Sequence, residues 1–189
     1  MSNKIAPNER LIPMPDIYDY TALEISVNGN RIDNPAYEIQ SLSINREINL
    51  IPSLRISILD GSVAEEKFKV SESADFIPGN KIELKIGRDG KLQSLFKGII
   101  VRQALRAKEH GSSHLQIECK DEAVQLTLGR KNKYFQDIKD SEVLNAVLGS
   151  KAGRIDEGNV KHKELVQFYC TDWDFALSRA EMNGLILLV

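Results

Sequence analysis

The stretch Tyr37–Gly61, YEIQSLSINREINLIPSLRISILDG, decides the fold class. Ile39, Leu42 and Ile44 recur at close to every second position, and Leu54, Ile56 and Ile58 do so strictly. A period of two puts alternate side chains on one face of an extended chain, so the stretch predicts two long strands with one apolar face each. Pro52 lies between them, at a turn or bulge where a missing backbone donor is tolerated. Asp60-Gly61 closes the second run.

Working outward, the same pattern repeats. In TALEISV, Leu23, Ile25 and Val27 alternate with polar residues, and Asn28-Gly29-Asn30 supplies the residues that a tight hairpin turn demands. FIPGNKIELKIG places Ile82, Leu84 and Ile86 in strict alternation between the turn signals Pro78-Gly79 and Asp89-Gly90. LFKGIIVRQALRA and SSHLQIECKDEAVQLTL read as two further strands, joined by the polar bridge 108–113. The segment 62–76 fits neither the helical nor the strand period. Strand follows strand with no intervening helix to cover a parallel sheet, which argues for an antiparallel sandwich or barrel; the expected class is mainly β, taken as a barrel-like antiparallel domain with short helices towards the C-terminal part.

Helical signals come late. Asp140 or Ser141 is expected to cap a short helix whose stripe is Val143, Leu144, Val147 and Leu148, stopped at Gly149. Thr171 is expected to cap a second, with Asp172 and Asp174 in its dipole-favoured first turn and Trp173, Ala176, Leu177 and Ala180 on its buried face, stopped at Gly184. The run LILLV after it predicts a buried strand, and its apolar edge suggests a parent chain that continues. The expected organisation is an extended arm over 1–20 with Pro7, Pro13 and Pro15, a β-barrel-like domain over 21–135, and a helix-containing segment over 136–189 that enters a second domain.

Composition narrows function. Lys plus Arg number 25 against 27 Asp plus Glu, a net charge of -2. Such a balance lacks the cationic field that drives nucleic-acid binding by counterion release, so no nucleic acid is expected as partner. No run approaches the about 18 apolar residues of a membrane span, and the N-terminus lacks a signal-peptide core, which points to synthesis in the cytoplasm. Cys119 and Cys170 sit in apolar-alternating segments without metal or redox spacing and are expected to be buried thiols.

Candidate chemistry is sparse. His110 and His114 have i, i+4 spacing, but Gly111-Ser112-Ser113 between them predicts an exposed loop, where that spacing has no geometric meaning. His162 stands apart, with no ligand set around it. Glu65-Glu66 and Asp172/Asp174 are the carboxylate pairs, expected to be a solvated face and a helix start. Arg130-Lys131-Asn132-Lys133, followed by Tyr134-Phe135, is the compact basic run, expected to be a solvated turn or a protein contact. No catalytic, cofactor or metal residue is assigned, no cofactor is expected, and a non-enzymatic protein is the expectation over a small β-scaffold enzyme.

Three blocks carry a more specific signal: FKGIIVRQALRA, KYFQDIKDSEVLNAVL and VQFYCTDWDFALSRAEMNGL. In order and spacing they resemble the VgrG family of type VI secretion spike proteins and the related baseplate hub proteins of contractile-tail phages. Gln167, Tyr169, Thr171, Asp172, Asp174, Phe175, Arg179, Glu181 and Gly184 occupy matching places in the last block. The resemblance is good over residues 75–189 and weak before that, and it departs at ECKDEAVQLTL, where Lys120, Asp121 and Glu122 stand in place of bulky apolar groups.

The resemblance implies a phage tail hub-like fold and a structural role. Three subunits form a homotrimer that matches the hexameric ring of an Hcp-type tube, with baseplate proteins and effectors as further partners. Assembly is in the cytoplasm, and firing carries the spike out of the cell. A phage or prophage baseplate is the alternative setting. The polar strand positions Gln40, Ser41, Ser43, Arg55, Ser57, Glu83 and Lys85 are the expected lumen or trimer contacts, with the arm 1–20 wrapping a partner.

Overall fold

The computed structural model describes residues 22–32, 37–61, 67–88, 91–107, 113–158 and 160–189. Seven strands, β1 (Ala22–Val27), β2 (Asn30–Arg31), β3 (Ile39–Asn45), β4 (Ser53–Asp60), β5 (Lys81–Arg88), β6 (Lys91–Arg106) and β7 (Ser113–Lys120), form one antiparallel sheet in the order β2-β1-β5-β6-β7-β4-β3. Asn28 and Gly29 have φ of 51° and 82°, the left-handed pair that lets a two-residue turn follow the strand twist, so Val27 faces Asn30 across the hairpin.

The sheet curls on itself. Ile25 of β1, Ile39 of β3 and Ile58 of β4 come from opposite halves of the strand order, yet with Phe76 they line one small pocket of about 80 Å³. Strand β6 makes the corner: its first half pairs with β5 as far as Ile99, and from Ile99 to Arg106 it pairs with β7. Gly98 sits at this crossing, where a Cβ would lie 2.2 Å from the Lys120 carbonyl oxygen. Only a residue without a side chain lets the two backbones meet so closely. The alternating apolar residues fill the interior, and Leu54, Ile58, Leu115, Ile117 and Cys119 are fully buried. Burial pushes the Cys119 thiol up to about 12, since an apolar surround penalises the thiolate.

The remaining elements are β8 (Lys131–Lys139), α1 (Asp140–Leu148), β9 (Lys161–Cys170) and α2 (Asp172–Met182), with β8 and β9 as a separate antiparallel pair. A second apolar cluster forms where Val143, Leu144 and Val147 of α1 meet Phe175 and Ala176 of α2 over Phe135, Ile138 and Leu165 of the strands. Thr171 caps α2 as expected, its hydroxyl oxygen accepting from the Asp174 N–H at 3.0 Å.

Several expectations are corrected. Neither Asp140 nor Ser141 caps α1; both lie inside it, and the Glu142 carboxylate instead reaches back to accept from the Lys139 N–H at 2.8 Å. The segment AVQLTL is not strand but part of a 3-10 helix, Glu122–Thr127, begun by the Asp121 carboxylate accepting from the Ala123 N–H at 2.8 Å. That turn aims Glu122 at Lys81 and Lys151, whose hydrogen bonds hold its carboxyl below the usual range. The LILLV run joins no ladder among the described residues: Ile186 and Leu188 are exposed, and the segment is held at Leu187, which exchanges hydrogen bonds with Asn49. His114 is half-buried within β7 rather than in an exposed loop, and Cys170 is half-buried rather than buried. His110, the Glu65-Glu66 pair and the arm 1–20 lie outside the described residues.

Candidate interaction surface

Two buried carboxylates tie the β8–β9 pair to the helices. Asp140, in the first turn of α1, receives the Arg179 Nε–H from α2 at 2.6 Å and meets His162 Nε2 of β9 at 2.7 Å. Burial works against its ionisation, but hydrogen bonds from His162, Asn183 and Arg179, and the charge of Arg179, outweigh that and hold its carboxyl below the usual range. His162 is therefore not isolated, as its sequence position suggested: it closes a three-element junction.

Asp172 does the same at the other end. It is buried and accepts from the Gln167 amide at 2.9 Å, and Lys131 and Lys133 of β8 both reach it. Here too burial opposes ionisation, and the Gln167 and Lys131 hydrogen bonds with the charge of both lysines prevail, leaving the carboxyl low. Two members of the basic run thus reach in from the surface to pair with a buried carboxylate. Nothing in the local sequence signals this, because Lys131 and Asp172 meet across 41 residues. Of the matched residues, Gln167 and Asp172 meet beside Lys131 at one junction and Arg179 meets Asp140 at the other, while Asp174 serves the Thr171 cap and Glu181 is exposed.

The face of β8–β9 turned away from the helices carries exposed aromatic rings beside polar Gln136 and Glu164. Tyr134 stands opposite Val166, and Phe168 and Tyr169, 80% and 60% exposed, lie beside them. Consecutive strand residues normally point to opposite faces. The pairing slips between Lys131 and Lys133, Tyr169 adopts a φ of 45°, and its N–H is taken by the Asn132 side-chain oxygen at 2.8 Å, so that both rings are exposed. The Arg130 guanidinium covers the Tyr169 ring at 5.0 Å. Sequence reading missed this patch; the adjacent Phe168-Tyr169 pair inside an alternating strand was the signal for it.

The barrel offers a polar surface. Ser43, Arg55, Glu118 and Arg102 stand side by side across β3, β4, β7 and β6, with Arg55 3.8 Å and Arg102 4.0 Å from Glu118. Gln40, Ser41, Ser43 and Arg55 are exposed, and Ser57, Glu83 and Lys85 are half-buried, the last two in an ion network with Glu24 and Lys97. A cleft of about 590 Å³ opens between the 3-10 helix, α1 and α2, walled by Leu144, Leu148, Trp173, Leu185 and Leu187. Trp173 is thus both core and cleft wall. Among the described residues no group of three His, Cys, Asp or Glu is placed to hold a metal ion, and no helix is long and apolar enough to cross a membrane.

A curled antiparallel sheet followed by a strand pair braced by two helices is the fold of phage tail proteins and VgrG-related proteins. The chain superposes on the 43 kDa tail protein of prophage MuSo2 from Shewanella oneidensis with a TM-score of 0.62 at 10% identity, covering 87% of this chain and 49% of that one. It matches the E. coli c3393 protein, a component of the type VI secretion system with structural similarity to the T4 bacteriophage tail proteins gp27 and gp5, with a TM-score of 0.56 at 10% identity over 81% of this chain and 41% of that one. It also matches the Francisella PdpA-VgrG complex with a TM-score of 0.57 at 11% identity, over 89% of this chain and 26% of that one. The chain therefore spans half the length of these proteins or less. By its sequence the chain belongs to the Alg8 N-terminal domain family, whose model matches residues 18–189. No curated protein matches it.

Proposed function

We propose that this chain is a structural, non-enzymatic part of the hub at the base of a contractile injection spike, self-associating as a homotrimer that seats on a hexameric Hcp-type tube. The shared fold carries this reading, and two surfaces support it: a barrel with an exposed polar sheet face, and an exposed aromatic face on β8–β9. A protein that matches one ring to another works by complementary surfaces and symmetry rather than by turnover. Baseplate proteins and effectors are further partners, with assembly in the cytoplasm and export on firing. A prophage or phage baseplate is the second reading, favoured by the Shewanella tail protein.

The test is hydrogen exchange of the full chain with and without a hexameric Hcp-type tube protein. Protection is expected over β3 and β4, with Arg55→Glu weakening binding by about tenfold. Unchanged exchange across the barrel at saturating tube protein refutes tube docking.

A further inference from the structure

The outward face of the barrel around β4 and β7 is cationic, although the chain carries a net charge of -2. Leu54, Ile56, Ile58, Leu115, Ile117 and Cys119 are buried, so the residues between them along β4 and β7 face out. With their ladder partners on β3 and β6, those positions hold Arg55, Arg102, Arg106 and Lys120 as cations and Glu118 as the carboxylate, with His114 as the remaining titratable group. Glu38, Arg46 and Glu47 are exposed beyond the ends of β3, and Asp121, next to Lys120, is taken up in starting the 3-10 helix. The surplus stays positive when these neighbours are counted. The other half of the sheet differs, because there Glu24 and Glu83 are matched by Lys85 and Lys97.

Glu118 does not use up the cations beside it. Its carboxylate lies 3.8 Å from Arg55 and 4.0 Å from Arg102, beyond hydrogen-bond reach, so it eases their mutual repulsion and leaves the guanidinium N–H donors open. Arg106 makes no ion pair among the described residues. A dish of about 340 Å³ lies between Arg55 and Arg106, lined by the uncharged polar groups Ser41, Ser43, Ser57 and Gln116. Planar guanidiniums with open donors match carboxylates two bonds at a time. A space of that size admits a few side chains and not a length of phosphate backbone, which selects a protein carboxylate over nucleic acid.

We propose that an acidic segment of the tube protein places its carboxylates among Arg55, Arg102 and Arg106, and that Glu118 competes with it for the first two. This names the chemistry of the tube docking proposed above and rests on it. The competition has a directional consequence: neutralising Glu118 strengthens the contact, whereas reversing Arg106 weakens it.

The test measures binding of the full chain to a hexameric Hcp-type tube protein by biolayer interferometry across salt concentration. Affinity is expected to fall about tenfold between about 50 and about 500 mM NaCl. Arg106→Glu is expected to weaken binding by about tenfold, and Arg106→Lys by less. Glu118→Gln is expected to strengthen it by about threefold, a gain that a poorly folded chain cannot produce. Arg154→Glu, the same charge reversal outside the barrel, should leave it unchanged. Salt-independent binding, or binding that Arg106→Glu and Glu118→Gln leave unaltered, overturns the acidic partner and leaves tube docking standing. Arg106-dependent binding of single-stranded DNA without binding of the tube protein assigns the face to phosphates and removes both readings, as does a wild-type chain that binds neither.

Discussion

Replacing Asp140 by Asn tests the junction that holds β9, α1 and α2 together. Asp140 and Arg179 are 4% and 7% exposed, and their contact at 2.6 Å is charge-assisted. Asn keeps the shape but removes the charge, leaving the guanidinium buried beside His162 and the Met182 sulfur, which offer no anion. Breaking a buried pair from one side costs about 3–5 kcal/mol, because the surviving charge is neither hydrated nor neutralised. Since an entire domain is stable by about 5–15 kcal/mol, the loss is a large share of the total. Urea denaturation followed by fluorescence reads it directly, as Trp173 in α2 is the single tryptophan. The companion variant Asp140→Asn with Arg179→Met removes both charges and is expected to be less destabilised than Asp140→Asn alone. A single-variant loss below about 1 kcal/mol, or strict additivity of the two changes, refutes the account of Asp140 as a buried anchor.

Acid should weaken the same region. The folded carboxyls of Asp140 and Asp172 lie below the unfolded value of about 3.9, so their contribution is complete above that pH and is lost as pH falls through the folded values. In urea midpoints against pH, Asp172→Asn should flatten the acid limb; an unchanged limb counts against the assignment. Trp173→Ala should cost about 3 kcal/mol, the low end for a buried tryptophan, because one side of it already borders the cleft; a loss below about 1 kcal/mol contradicts its packing. Gly98→Ala should cost about 3 kcal/mol or prevent folding, since the added carbon meets backbone rather than a movable side chain; wild-type stability rules out the close crossing of β6 and β7. In a thiol titration of the native chain, Cys170 should react well before Cys119, whose release should follow unfolding; equal rates are the contrary result.

Much of the fold was legible locally. Period-two spacing in β3, β4, β5 and β7, the Asn28-Gly29 turn and the Thr171 cap all depend on residues within a few positions of one another, and each is read from a short window. The misreadings share a cause. AVQLTL has strand-like residues, yet Asp121 upstream and two distant lysines draw the segment into a 3-10 turn; LILLV has them too, but it joins no ladder among the described residues.

What the sequence by itself determined is the strands of the seven-stranded sheet, the turns that join them and the apolar face of each, because those follow from side-chain alternation and backbone preference along the chain; it did not show β8 and β9. Only the tertiary structure decided what the polar residues do. Lys131 and Lys133 became partners of the buried Asp172, His162 and Arg179 partners of Asp140, and Tyr169 an exposed ring, since each outcome turns on groups that meet from far apart in sequence.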